Sequence, residues 1–239
     1  MRIIFKLTSL MSLFFLTGLV SGCREDSDEK MYRLAQAHLQ EYYEKMDFES
    51  SVKAFECFRQ IKGKRYQKLI SIQLLSDYFY LGKYEEGTKY RETLTEDDVK
   101  TPVLLLVYPA FYDIMELADN GQLDEFNTKI WEEINGWVEE ANQSAANTSK
   151  DYLDAISAAV SLFANGSSFD GELFKYYSEN KMEEIIPCVK RHSSYVFSPE
   201  EILQDVAPYR EAYNTVISMV DGNEGSKCIK TKGIQDKKL

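Results

Sequence analysis

Residues 42–49 read Tyr42-Tyr43-Glu44-Lys45-Met46-Asp47-Phe48-Glu49, and residues 78–85 read Tyr78-Phe79-Tyr80-Leu81-Gly82-Lys83-Tyr84-Glu85, the same order of side chains 36 positions later. A third copy, Leu117-Ala118-Asp119-Asn120-Gly121-Gln122-Leu123-Asp124, follows after a further 39 residues. In each, an apolar or aromatic pair is followed by a turn residue, a polar residue and an acid after the next apolar side chain. That order suits a helix end with glycine in the left-handed conformation, followed at once by a second helix. Small residues recur at a fixed offset after the turn, Ser51 in the first unit and Gly87 in the second, where two helices would need close approach; Phe126 holds that offset in the third. Self-similarity at such a period is the mark of stacked helical hairpins.

The flanking sequence agrees. Val52, Phe55, Phe58 and Ile61 form one apolar stripe at helical spacing, and Leu69, Ile72, Leu75, Tyr78 and Phe79 form a wider one. Thr101-Pro102 and Ser198-Pro199-Glu200-Glu201 are helix starts, while Gly82, Gly121, Gly166 and Gly222 fall where helices should stop. These signals predict an all-α chain with about nine helices, near 29–45, 50–61, 66–81, 84–95, 102–119, 123–141, 150–164, 169–186 and 199–220. Pro109 and Pro208 fall inside two of them and are expected to kink or divide them. At the three quoted turns the chain resembles tetratricopeptide repeats, whose stacked antiparallel hairpins form an α-solenoid. Met46 departs from the expected turn glycine, Phe126 from the small residue, and no unit ends in proline. The resemblance spans about 30–140, with 150–220 matching only by helix pairing.

The amino-terminal segment has Arg2 and Lys6, then an uncharged run from Leu7 to Val20, then small residues at Ser21 and Gly22. That is the layout of a secretory signal. Val20-Ser21-Gly22-Cys23 resembles the lipobox of bacterial lipoprotein precursors. The resemblance implies cleavage before Cys23, diacylglycerol on its thiol and an acyl chain such as palmitate on the new amino terminus. Residues 1–22 are then the signal peptide and 23–30 a lipidated cysteine with an acidic tether. Residues 31–222 form the helical-repeat domain, and 223–239 form a polar, basic tail with Lys227, Lys230, Lys232, Lys237 and Lys238. The implied location is the bacterial cell envelope. Arg24 favours the outer membrane facing the periplasm over retention at the inner one, and the acidic tract loosely resembles the export tracts of cell-surface lipoproteins.

Loss of the leader removes two positive charges and takes the formal charge from -11 to -13. Nucleic acid is excluded as a partner, because its binding needs clustered cations. With Cys23 assigned to lipid, Cys57 reads as a small buried residue among Phe55, Phe58 and Ile61, and Cys188 with Cys228 is the preferred disulfide pair. No metal site is expected, since no two cysteines have ligand spacing and His38 and His192 are the only histidines. His38 reads as a packing residue of the first helix. His192 beside Ser193 and Ser194 lacks the motif of a nucleophile elbow. There is no phosphate loop or dinucleotide fingerprint, so neither a catalytic residue nor a cofactor is assigned and the chain is not expected to be an enzyme. An envelope hydrolase is the least favoured alternative.

Thirteen Phe, sixteen Tyr and two Trp exceed what a thin helical array needs for its core, and tyrosine suits interfaces. In tetratricopeptide arrays the first helix of each pair lines the concave groove. Carried over, this implies a partner-binding groove of Gln36, Gln40 and Tyr43, then Ile72, Ser76, Phe79 and Tyr80, then Phe111 and Met115; packing between hairpins is the other use for each. The expected partner is another protein or peptide in the envelope, with contact to the membrane through the lipid alone. The alternative is an immunity role, in which the acidic surface steers a basic secreted toxin.

Overall fold

The computed structural model describes residues 27–220. The signal segment, Cys23, Cys228 and the basic tail lie outside the described residues. Ten α-helices follow one another: α1 Ser27–Lys45, α2 Phe48–Phe58, α3 Lys64–Tyr80, α4 Tyr84–Glu92, α5 Val103–Asp119, α6 Leu123–Gln143, α7 Ala146–Phe163, α8 Ser168–Ser178, α9 Met182–Arg191 and α10 Glu200–Val220. A single 3₁₀ turn, Glu96–Asp98, links α4 to α5, and the described residues contain no strand. No described helix is long and apolar enough to cross a membrane.

The three quoted turns share one backbone solution. Met46, Gly82 and Gly121 have φ of 55°, 67° and 70°. The amide of the residue after each glycine reaches back to the helix it leaves, Lys83 to the Tyr78 carbonyl and Gln122 to that of Leu117. Met46 therefore adopts the glycine geometry despite its Cβ, at a cost of about 1 kcal/mol. Asp47 helps hold it there by capping α2 at the Glu49 amide. The same turn recurs at Asn180, φ 56°, with Lys181 bonded back to Tyr176. It splits the single helix expected over 169–186 into α8 and α9. Asparagine tolerates the left-handed region, and its polar neighbours Glu179 and Lys181 are exposed.

Successive helices from α1 to α9 pack as antiparallel hairpins, and α5 also touches α3 and α7, the first helices of the pairs on either side. Gly87 of α4 shows why a small residue is needed there. A Cβ at this position would lie 2.7 Å from the ring of Tyr112 on α5. That ring is fully buried and its hydroxyl donates to the Leu75 carbonyl of α3 at 2.7 Å, so it is held between two helices and cannot retreat. Gly87→Val is expected to destabilise the fold by about 1–3 kcal/mol through overpacking, measured by urea unfolding. Combining it with Tyr112→Leu should cost less than the sum of the two, because the second change makes room for the first.

Two main interiors result, beside a small third cluster of Leu75, Leu94, Val99 and Leu105. The larger is built from α5 to α9 with Ile202 and Val206 of α10. The smaller joins α1, α2 and α3 with Ala212 and Val216 from the other half of α10. Helix α10 thus straps the two together, packing on α2 and α3. Its helix runs without interruption through Pro208, and α5 likewise through Pro109, so of the kink or division expected neither proline produces a division. Helix α1 already includes the first described residue, Ser27, and the Asp28 carboxylate accepts the Gly63 amide at 2.7 Å, which ties residues 27–30 to the helical fold.

The cysteines depart from the expected pairing. Cys188 is a buried, free thiol, and Cys228, the partner expected for it, lies outside the described residues. Cys57 is disulfide-bonded. Cys188 belongs to the larger interior and Cys57 to the smaller one, each without exposed surface.

Candidate functional site

The residues assigned to a partner groove separate into three groups. Gln36, Gln40 and Tyr43 are exposed on α1, with Tyr43 at 44% of its full surface. Ile72 and Ser76 on α3 are half-buried. Phe79, Phe111 and Met115 are core residues, at 2%, 6% and 0% exposure, and cannot meet a partner. Phe111 packs edge-on against Phe163 of α7, 5.4 Å between ring centres, because the first helices of neighbouring hairpins touch there instead of opening a groove. Tyr80 is covered by the chain itself: the Tyr209 ring of α10 stacks on it at 4.7 Å. Tyr209 also shares a hydroxyl–hydroxyl hydrogen bond with Tyr42 and meets Phe48 edge-on.

Beneath this tyrosine layer lies Asp77 of α3, a residue that sequence reasoning passed over. Its carboxyl is buried, accepts Gln73 Nε2 at 2.7 Å through Oδ1, and has no hydrogen-bond partner at Oδ2. Burial pushes its pKa up to about 8, so at neutral pH the protonated acid is favoured. Asp77 in turn raises the pKa values of Tyr42, Tyr43 and Tyr108, after the larger effect of their own burial. Asp77 thus lies within electrostatic reach of Tyr42, Tyr43, Tyr80, Tyr108 and Tyr209. Helical spacing alone held the warning, since Asp77 falls inside the wide apolar stripe of its helix.

A second constellation occupies the last hairpin. Glu172 of α8, Cys188 of α9 and His192 at the end of α9 bring one carboxylate oxygen, the thiol sulfur and one ring nitrogen within 4.8 Å of each other. His192 Nε2 is 2.6 Å from Glu172 Oε2, and Arg191 bonds the other carboxylate oxygen. His192, then Arg191, hold the Glu172 acid down at about 2. The Cys188 thiol goes the opposite way, to about 11, through burial and then the neighbouring Glu172 charge. A protonated, sealed thiol is no activated nucleophile, although Cys, His and Glu lie together as in a catalytic triad.

The His192 ring is held from behind. Phe169 stacks on it at 4.8 Å, and Trp131 of α6 stacks on Phe169 at 5.9 Å. The following loop is tied to α6 by Trp131 Nε1 donating to the Tyr195 carbonyl at 2.9 Å and by the Asn127 amide bonding both backbone groups of Phe197. The sequence signal for this cluster was the i, i+4 pair Cys188 and His192, hidden because the predicted helix stopped at 186. His38, the other histidine, is fully buried on α1, the place expected of a packing residue. No protein-family model matches the chain, and no curated protein and no solved structure shows significant similarity to it.

Proposed function

We propose that the chain is a lipid-anchored, non-catalytic binding protein of the bacterial envelope, in which an acidic domain of helical hairpins recognises another protein or peptide. The observation that carries the reading is Tyr43, exposed on α1 beside Gln36 and Gln40 on the same helix, with its ring packed against Tyr42 at 5.1 Å. An exposed aromatic ring with a polar tip, set next to amides and backed by a tightly packed layer, is a ready-made anchor for a partner. The lipobox-like Val20-Ser21-Gly22-Cys23 supports the anchor, and the charge of -11 favours a basic partner. Within this class, neutralisation of a basic secreted toxin is the reading that the charge favours.

Two measurements test it. Mass spectrometry of the mature amino terminus should find diacylglyceryl-Cys23; an unmodified Cys23 sinks the anchor. Capture from an envelope extract by the wild-type chain should enrich a protein that is lost with Tyr43→Ala and Gln40→Glu together. Equal capture by wild type and variant rejects this face as the binding surface. Loss of binding as salt is raised would favour the basic partner.

A further inference from the structure

We propose that Glu172, Cys188 and His192 form a binding site for a single divalent transition-metal ion of borderline softness, zinc being the type. The proposal is independent of the partner-binding face.

The donor set is one thiolate, one imidazole and one carboxylate, the ligand classes that zinc takes. Cys188 and His192 lie four residues apart at the carboxyl end of α9, so one helix face presents both, and Glu172 comes from the neighbouring helix of the hairpin. Ligands on a zinc ion at about 2.0–2.3 Å are about 3.3–3.8 Å from one another in tetrahedral geometry. The three donor atoms already lie within 4.8 Å, with His192 and Glu172 closer than that, so rotations of about 1 Å complete the set. The ring stack behind His192 supplies the support that orients a ligand histidine. The side chains of Glu172 and His192 remain 30% and 23% exposed, which leaves the fourth position to water and gives the ion a path in.

Arg191 bonds Glu172 from a side chain that is 48% exposed, so it competes with the ion for that carboxylate and can swing away. Binding breaks the Cys188 S–H bond, forms a sulfur–metal bond and releases that proton to solvent; Glu172 and His192 bind as carboxylate and neutral ring. The ion would then cross-link α8 to α9 and the loop that follows.

Cobalt(II), a spectroscopic stand-in for zinc, tests the site on the purified full-length chain without reductant, so that the Cys57 disulfide is preserved. One equivalent should produce sulfur-to-cobalt charge-transfer absorption and the strong visible bands of a four-coordinate ion, and one equivalent of zinc should abolish both. Cys188→Ala should remove the charge-transfer absorption while the far-ultraviolet circular dichroism stays helical. Glu172→Gln and His192→Gln, at partly exposed positions, should each weaken cobalt binding about 10–100-fold. Arg191→Ala should tighten it several-fold, because a competing cation is gone; a purely structural Arg–Glu–His network predicts no such gain. Absence of the cobalt spectrum, its persistence in Cys188→Ala, or unchanged affinity in both the Glu172 and His192 variants overturns the proposal. If Cys188→Ala fails to fold, the Glu172, His192 and Arg191 variants decide it.

Discussion

Asp77→Asn is expected to make the protein more stable above neutral pH and to flatten the dependence of its stability on pH. In the folded chain burial pushes the Asp77 acid up to about 8, against an ordinary value of 3.8. Between those values the unfolded chain has lost this proton and the folded chain keeps it, so unfolding releases a proton and stability falls as pH rises. Below about pH 4 both states are protonated and the penalty is absent; above about pH 8 it is complete. The amide of asparagine keeps the acceptor for Gln73 and never ionises, at the smaller cost of N–H groups without a partner. At pH 8 the net gain should be on the order of 2–4 kcal/mol. Urea unfolding of both chains at pH 5 and pH 8 measures it: the gap should be small at the lower pH and open at the higher. An equal gap at both pH values would mean that Asp77 is ionised in the fold, paired by something other than Gln73.

Val206→Asp should be the most damaging single change in α10, at about 4 kcal/mol or more. Val206 has no exposed surface and sits in the larger interior. A carboxylate there has no partner and loses its hydration, and buried unpaired charge is among the few mechanisms that reach this size. The mode of failure is as informative as its size. Ten residues further on, Val216 fills the smaller interior, so one helix supports both. Arg210 adds a bond to Asp119 at 2.7 Å and another to the Tyr84 hydroxyl, joining the ends of α5 and the start of α4. Releasing α10 at Val206 should therefore lower the melting of the whole domain in one transition. Were α10 only an appendage, the variant would lose the helical signal of that segment alone while the rest melted as in wild type.

The two interiors explain why hairpin recognition in the sequence went further than site recognition. Turn chemistry is local: Gly82 and Gly121 identify themselves by conformational need, and Met46 could be aligned with them although its side chain opposes the φ it adopts. The α8–α9 turn escaped because Asn180 gives a weaker signal than glycine and Pro187 suggested an earlier end. Helix α9 runs past Pro187 because that residue is in the second turn, where only one backbone donor is lost. The assignment of Phe111 and Met115 to a groove failed for a different reason. A helical stripe says that one face is covered, and whether the cover is a neighbouring hairpin or a partner is settled by packing between elements distant in sequence.

What the sequence alone determined is the all-helical class, the position of the first three hairpins and the need for a small residue at Gly87, each a consequence of backbone preference or local spacing; that Gly87 faces Tyr112 of the next hairpin and not its own partner helix came from the structure. Only the tertiary structure decided that α10 returns across the first hairpins to lie against Tyr42, Phe48 and Tyr80, and that Cys188 is sealed in the larger interior. It also decided that Asp77 is sealed in as an acid and that Glu172 meets Cys188 and His192. Those outcomes depend on which faces meet across separations of up to 167 residues, as between Tyr42 and Tyr209, and on the dielectric that the meeting creates.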